Sequence, residues 1–375
     1  MLDVSRLLKS NKQLPATRFK IRNRAYLFTF RQTDFGITEV AKIIGLLTSI
    51  EKNDPFRLPL VIDLGEVNFA DKLSYILLEC LCYYSLQNKH RLVQVKYKPK
   101  ANIASDGILV SPLRFLSSQN RDQYLVKFQL EVSMNHYRRL ISVEEAKKDI
   151  YFLSALVADV SSFLIPYDAT ERYRNELAEV IGELVDNAIE HAEADCLVDI
   201  DISREFIKRT TGDPFWGVNV TIINLSDTLL GYRIKEKLQD DTILGERDLS
   251  LKKALEYHRL HWGNDYTEED FYNVASFQDR ISGRNEKTVT GGTGLTKLIS
   301  SLEKESDTYN CYLLTGQRKL LFAHEFLEYN SDGWIGFNKE KDFLNVLPSA
   351  TILGESPVFI QGTAYNLSFA MKKEG

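Results

Sequence analysis

The stretch Glu176–Ala192, ELAEVIGELVDNAIEHA, decides how the rest of the chain is read. Leu177, Val180, Ile181, Leu184, Val185, Ala188 and Ile189 recur at steps of three and four, which is one buried stripe of an α-helix. Glu183, Asn187 and Glu190 stand at i, i+4 and i+7. On an α-helix they form a row along an adjacent face, with His191 beside them. A solvated charged edge of an ordinary amphipathic helix gives the same spacing. The row also suits a chemical use. An amide oxygen such as that of Asn187 is a hard ligand for magnesium, which shares its shell with phosphate oxygens. A carboxylate one turn earlier, Glu183, can orient or deprotonate a nucleophile near that metal.

Two further elements lie toward the C-terminus. Thr288–Leu298, TVTGGTGLTKL, places Gly291, Gly292 and Gly294 ahead of a helical run, Leu295–Leu302. Glycines let backbone N–H groups approach phosphate oxygens, and a helix N-terminus attracts the anion. Thr290 and Thr293 add hydroxyl donors. Phe359–Phe369, FIQGTAYNLSF, opens with Gly362 and Thr363 and continues as a strand with alternating apolar residues.

In this order the three elements resemble the GHKL superfamily (gyrase, heat-shock chaperone, histidine kinase, MutL). The helix resembles its N box, with Glu183 and Asn187 at the matching spacing. Thr290–Leu295 resembles the glycine-rich G2 box, and Gly362–Thr363 the G3 element. The resemblance spans Ile150 to about Met371. It implies a Bergerat-type α/β sandwich with a mixed sheet and a long lid insertion, binding ATP and Mg2+. By the same resemblance Asn187 holds the metal and Glu183 is the catalytic carboxylate. Glu190, His191, Thr290, Gly291, Gly292, Thr293, Gly294, Leu295 and Thr363 line the nucleotide.

The G1 box departs from the family, where a strand ends in Asp-x-Gly-x-Gly and its Asp meets the adenine amino group. Here the strand Val218–Ile223 runs into NLSDTLLG. In one register Asn224 takes the Asp position; in the other Asp227 is the acidic residue. The first fits a strand of normal length better, and an Asn side chain still offers an oxygen to an amino group. Residues 228–290 are expected as the lid, with helical patterns at Glu246–Leu260 and Thr267–Ser282. Arg284 and Lys287 are candidates for the γ-phosphate. His258, His261 and Asp265 lack a fourth ligand, so they read as packing rather than a metal site.

The first half alternates strand and helix signals: strands at Arg24–Arg31, Leu58–Leu64 and Arg91–Tyr97, helices at Gly36–Lys52 and Ala70–Gln87. That β-α-β-α-β order predicts a parallel or mixed sheet with helices packed on it. Val61–Asp71, VIDLGEVNFAD, is similar to the central strand and turn of STAS domains. Those domains often carry a phosphorylatable Ser or Thr after the matching Asp, whereas Asp71 is followed by Lys72 and Leu73. The polar stretch from Ser133 to Tyr151 is the expected boundary. It gives a regulatory or docking α/β domain over 1–140 and an ATP-binding domain over 141–375.

Composition sets the outer limits. The 375 residues are 44% hydrophobic and 26% charged, as in globular domains. The net charge of −5 does not indicate a nucleic-acid binder. Basic stretches nevertheless occur at Arg6–Arg24 and Lys89–Lys100, and read as solvated surface or edge strand. Cys80, Cys82, Cys196 and Cys311 form no CxxC pair and read as buried thiols of a reducing compartment. The start, MLDVSRLLKSNK, has no apolar run of signal-peptide type, and Leu73–Leu86 is too short to span a bilayer. A cytoplasmic protein without membrane contact is expected. Its functional reading is an ATPase switch acting on a protein partner or a homodimer, in bacterial signalling or defence. The N box also resembles anti-sigma-factor serine kinases, so a protein kinase and a degenerate nucleotide-binding scaffold stand as alternatives.

Overall fold

The computed structural model describes residues 2–53, 57–100, 103–207, 212–240, 245–281, 294–305 and 311–373. Its class is mixed α/β, as the alternation of sequence signals predicts.

Strand-forming runs in the first half build one sheet from β1 (Lys20–Arg22), β2 (Ala25–Thr29), β3 (Asp34–Phe35), β4 (Leu60–Phe69) and β5 (Val93–Pro99). β4 is central. It pairs in parallel with β2, β3 and β5, while β1 is an antiparallel hairpin partner of β2. Around the sheet come α1 (Ser5–Ser10), α2 (Ile37–Asn53), α3 (Lys72–Gln87), α4 (Ile103–Val110), α5 (Leu113–Ser117) and α6 (Arg121–Gln129). Asp71 caps α3, accepting from the Ser74 backbone N–H at 2.8 Å. The position that resembles the STAS phosphorylation turn is therefore a helix cap. Every residue of α3 from Lys72 to Leu86 is buried. A helix apolar on all sides must be covered on all sides, and the second half supplies the other cover.

The second sheet contains β6 (Leu130–Val132), β7 (His136–Ile141), β8 (Cys196–Ile207), β9 (Pro214–Leu225), β10 (Tyr312–Leu321) and β11 (Leu353–Lys372), in the order β10-β11-β9-β8-β7-β6. All of its pairings are antiparallel, which corrects the expected mixed sheet. The helices between β9 and β10 return the chain beyond β11, so no parallel neighbour arises. The chain already enters this sheet at Leu130, ahead of residue 140.

The remaining helices are α7 (Val143–Lys148), α8 (Phe152–Phe163), α9 (Glu171–Asp186), α10 (Tyr232–Gln239), α11 (Glu246–Arg259), α12 (Glu268–Ala275) and α13 (Gly294–Glu305). Val198, Ile200, Val220 and Ile222 face α8, α9 and α13 in one core. Leu197, Ile223, Leu314 and Ala364, from the alternate positions, join α2 and α3 in another. The result is a stack: first sheet, helices, second sheet, helices.

The expected lid is, in its described part, packed core. Leu251, Ala254, Phe271 and Phe277 are buried with Phe322, Phe337 and Phe343. These two-faced helices carry enough apolar surface to demand burial. His258 lies inside this layer. Its Nδ1 is 2.5 Å from the Tyr266 hydroxyl and its Nε2 is 2.7 Å from the Phe343 carbonyl. Burial holds its pKa down at about 4.

Where α3 meets the second sheet, the interface holds charge. Lys72 pairs with Asp199 and Asp201. Arg138 pairs with Glu79 and Asp199, and His136 reaches Asp199 at 2.9 Å and Glu131 at 3.5 Å. Burial alone would push the Asp199 carboxyl up, but Arg138, His136 and Lys72 hold it well below the usual range. Burial likewise opposes the charged form of His136, yet Asp199 and Glu131 raise its pKa.

Candidate functional site

The helix that carries Glu183 begins where the sequence predicts. Pro166 sits in a short 3-10 turn, Ile165–Tyr167, and Asp168 follows at φ 53°, so the chain breaks before α9. Thr170 caps α9 by accepting from the Tyr173 N–H at 3.0 Å. The far end differs from the expected continuous α-helix. From Asn187 to His191 the backbone is π-helical, with the Ala192 N–H bonded to the Asn187 carbonyl at 3.2 Å. Such a turn is wider than an α turn and recurs at functional sites. Glu183 precedes this turn and Asn187 opens it; both are half-buried, while Glu190 within it is exposed.

Glu183 faces α13. The Lys297 ammonium stands 3.2 Å from Glu179 Oε2 and 3.6 Å from Glu183 Oε1. Burial works against the Lys297 charge, but the two carboxylates raise its pKa. Lys297 sits inside the glycine-rich stretch quoted above. Its spacing gave no reason to single it out, because its partners come from a distant helix. Gly294 begins α13 and Leu295 is buried at its start. Lys287, Thr290, Gly291, Gly292 and Thr293, with Arg284, lie outside the described residues.

At the ends of the central strands, Asn224 of β9 and Thr363 of β11 are register partners. They are 4% and 8% exposed. Asn224 Nδ2 donates to Thr363 Oγ1, while Asn224 Oδ1 has no hydrogen-bond partner among the described residues. An acceptor buried without a donor is costly and calls for an explanation. Thr315, the register partner of Thr363 on β10, continues the polar row and donates to the Gly362 carbonyl at 2.7 Å. Gly362 has φ 122°, and a Cβ there would lie 2.3 Å from the Asn224 carbonyl oxygen. Only glycine lets the two strands close on this pair.

Asp227, the other G1 register, stands elsewhere. Its side chain is 77% exposed and is held by Arg6 of α1 and by Gln361 Nε2 at 2.7 Å. The Arg6 hydrogen bond lowers its pKa. Asn224, and not Asp227, therefore meets Thr363. Just beyond them a cavity of about 580 Å3 opens, lined by Arg6, His191, Asp195, Ser226, Asp227 and Arg233. That volume falls in the range of small-molecule sites. Of the residues expected to bind nucleotide, His191 and Asp227 line this cavity, and Asn224 and Thr363 pair at the strand ends beside it.

The donor set suits the expected ligands. Asn224 Oδ1 can accept from an amino group, Asn187 offers an amide oxygen to a hard cation, and Glu183 is a half-buried carboxylate one turn before it. No family model matches the chain, and no curated protein or solved structure is significantly similar to it. No helix among the described residues is long and apolar enough to cross a membrane.

Proposed function

We propose that this chain is a GHKL-type ATPase that binds Mg-ATP between α9 and the ends of β9 and β11, and uses hydrolysis to switch a protein partner in signalling or defence. The observation that carries this reading is the buried Asn224–Thr363 pair with its unmatched Oδ1, on the face of the second sheet that packs against α9. Asn224 accepts from the adenine amino group, and Thr363 fixes the amide so that its oxygen, rather than its nitrogen, faces the base. Asn187 contributes an oxygen to magnesium, which when bound neutralises phosphate charge. Glu183 orients the attacking water as general base. Lys297 holds that carboxylate in place from α13.

Steady-state phosphate release tests the reaction. Turnover that falls at least ~100-fold in Glu183→Gln, at the lower end for loss of a general base, while nucleotide affinity stays, supports hydrolysis. Turnover equal in wild type and variant would count against it. Phosphate appearing on a protein hydroxyl instead of in solution would reassign the same site to a kinase.

A further inference from the structure

Parallel strands normally have both faces covered. Among the described residues, only one face of the first sheet is. Tyr26, Phe28, Leu60, Ile62, Val93 and Val95 point into the core with α3. The alternate positions point outward and remain partly or fully exposed. Register places Lys20, Leu27, Val61 and Gln94 in one row across β1, β2, β4 and β5, and Thr29, Asp63 and Lys96 in another. Arg22 adds a second cation on β1.

The two basic stretches that are far apart in sequence thus become opposite rims of one surface. Lys20 and Arg22 stand at the β1 edge. Lys96 and Lys98 stand at the β5 edge, Lys98 with Glu66 at 3.7 Å. Between them lies an uncharged strip, Ala25, Leu27 and Val61, with Asp63 at one end beside Lys96. Three inter-strand spacings separate the rims, roughly 14 Å. An α-helix with its side chains is about 10–12 Å across. A helix laid on this strip fills the width between the cations.

We infer that the open face of the first sheet is a docking surface for an acidic amphipathic α-helix of a partner protein, which supplies the missing layer. Leucine-type residues of that helix cover Leu27 and Val61, and its flanking carboxylates meet Lys20 and Arg22 on one side and Lys96 on the other. The chemistry favours protein over single-stranded nucleic acid, because the described residues of this face include no aromatic ring on which bases could stack. The surface lies on the far side of the stack from α9, so it is separate from the nucleotide site and stands or falls independently of it.

The test uses the full chain and three labelled probes, read by fluorescence anisotropy at about 0.15 M salt. One is an acidic helical peptide of about five turns with leucines at i, i+3, i+4 and i+7. The second has the same composition with the leucine periodicity destroyed. The third is oligo-dT. The periodic peptide is expected to bind at least ~10-fold more tightly than the aperiodic one, and to protect β2 and β4 amides from hydrogen exchange. Lys20→Glu combined with Lys96→Glu should weaken it by a similar factor while thermal unfolding is unchanged; should that pair unfold, Lys20→Gln with Lys96→Gln takes its place. Equal binding of both peptides, no binding, tighter binding of oligo-dT, or indifference to the substitutions would overturn the inference. Self-association of the chain abolished by the same substitutions would overturn it in favour of a second copy as occupant.

Discussion

The two faces of the second sheet hold different kinds of polar group. Toward α3, Asp199 and Asp201 are buried with Lys72, Arg138 and His136 as opposed charges, although Arg138 Nη1 and Thr221 Oγ1 have no hydrogen-bond partner among the described residues. Toward α9, the polar row at the strand ends is uncharged and leaves Asn224 Oδ1 without a donor among the described residues. Opposed charges fix how two layers sit on one another, whereas a neutral row with a spare acceptor leaves chemistry available to a ligand. The first face reads as architecture, and the second carries the proposed site.

The comparison breaks most visibly at Asp199. Asp199→Ala leaves Arg138 with Glu79 alone and His136 with Glu131 alone in the interior, and should cost about 3–5 kcal/mol in urea unfolding. A loss below about 1 kcal/mol would mean the charges are not held as a closed set.

Glu269 of α12 sharpens the contrast, since it is a half-buried carboxylate lacking a full set of partners. Its Oε1 has none among the described residues, and burial together with Asp270 raises its pKa to about 7. The unfolded chain releases this proton near 4.5, so stability is lost as pH rises from there to about 7 and is level above. Glu269→Gln should remove that slope and stabilise the protein by roughly 2 kcal/mol at pH 8. Unfolding curves at pH 5 and pH 8 measure it.

His136 has the pH dependence of a group with a raised pKa. Its contribution is full below the unfolded value near 6.5 and is lost as pH climbs through the higher folded value. The difference in stability between wild type and His136→Gln should therefore shrink from pH 6 to pH 9. A difference that grows would contradict the pairing with Asp199 and Glu131.

The smallest stability effect is expected at the site itself. Asn224→Ala loses one hydrogen bond to Thr363 and removes the orphaned oxygen, so it should change stability by no more than about 1 kcal/mol. Its nucleotide affinity should nevertheless fall at least ~10-fold.

Much of the first half was legible because its signals are local. The strand expected at Leu58–Leu64 is found as Leu60–Phe69, running on past Gly65, and the helix expected at Ala70–Gln87 as Lys72–Gln87. The helix with Glu183 was legible for the same reason. Its π turn was not, because Asn187–His191 has the composition of an ordinary helix end. Choosing between Asn224 and Asp227 needed the register with β11, a contact 139 residues away in the chain. The ion-pair face was the least visible. Cys196–Ser203, CLVDIDIS, alternates apolar and polar residues as a half-solvated strand does. Lys72 and Arg138, which bury Asp199 and Asp201, come from elsewhere in the chain.

Titration calorimetry with a non-hydrolysable ATP analogue and magnesium, on wild type and Asn187→Ala, bears most directly on the proposed nucleotide site. Saturable heat in the wild type at one site per chain, lost in the variant while its unfolding curve is unchanged, is the expected result. No heat in the wild type, or the same isotherm for both, would contradict a magnesium–nucleotide site at the end of α9.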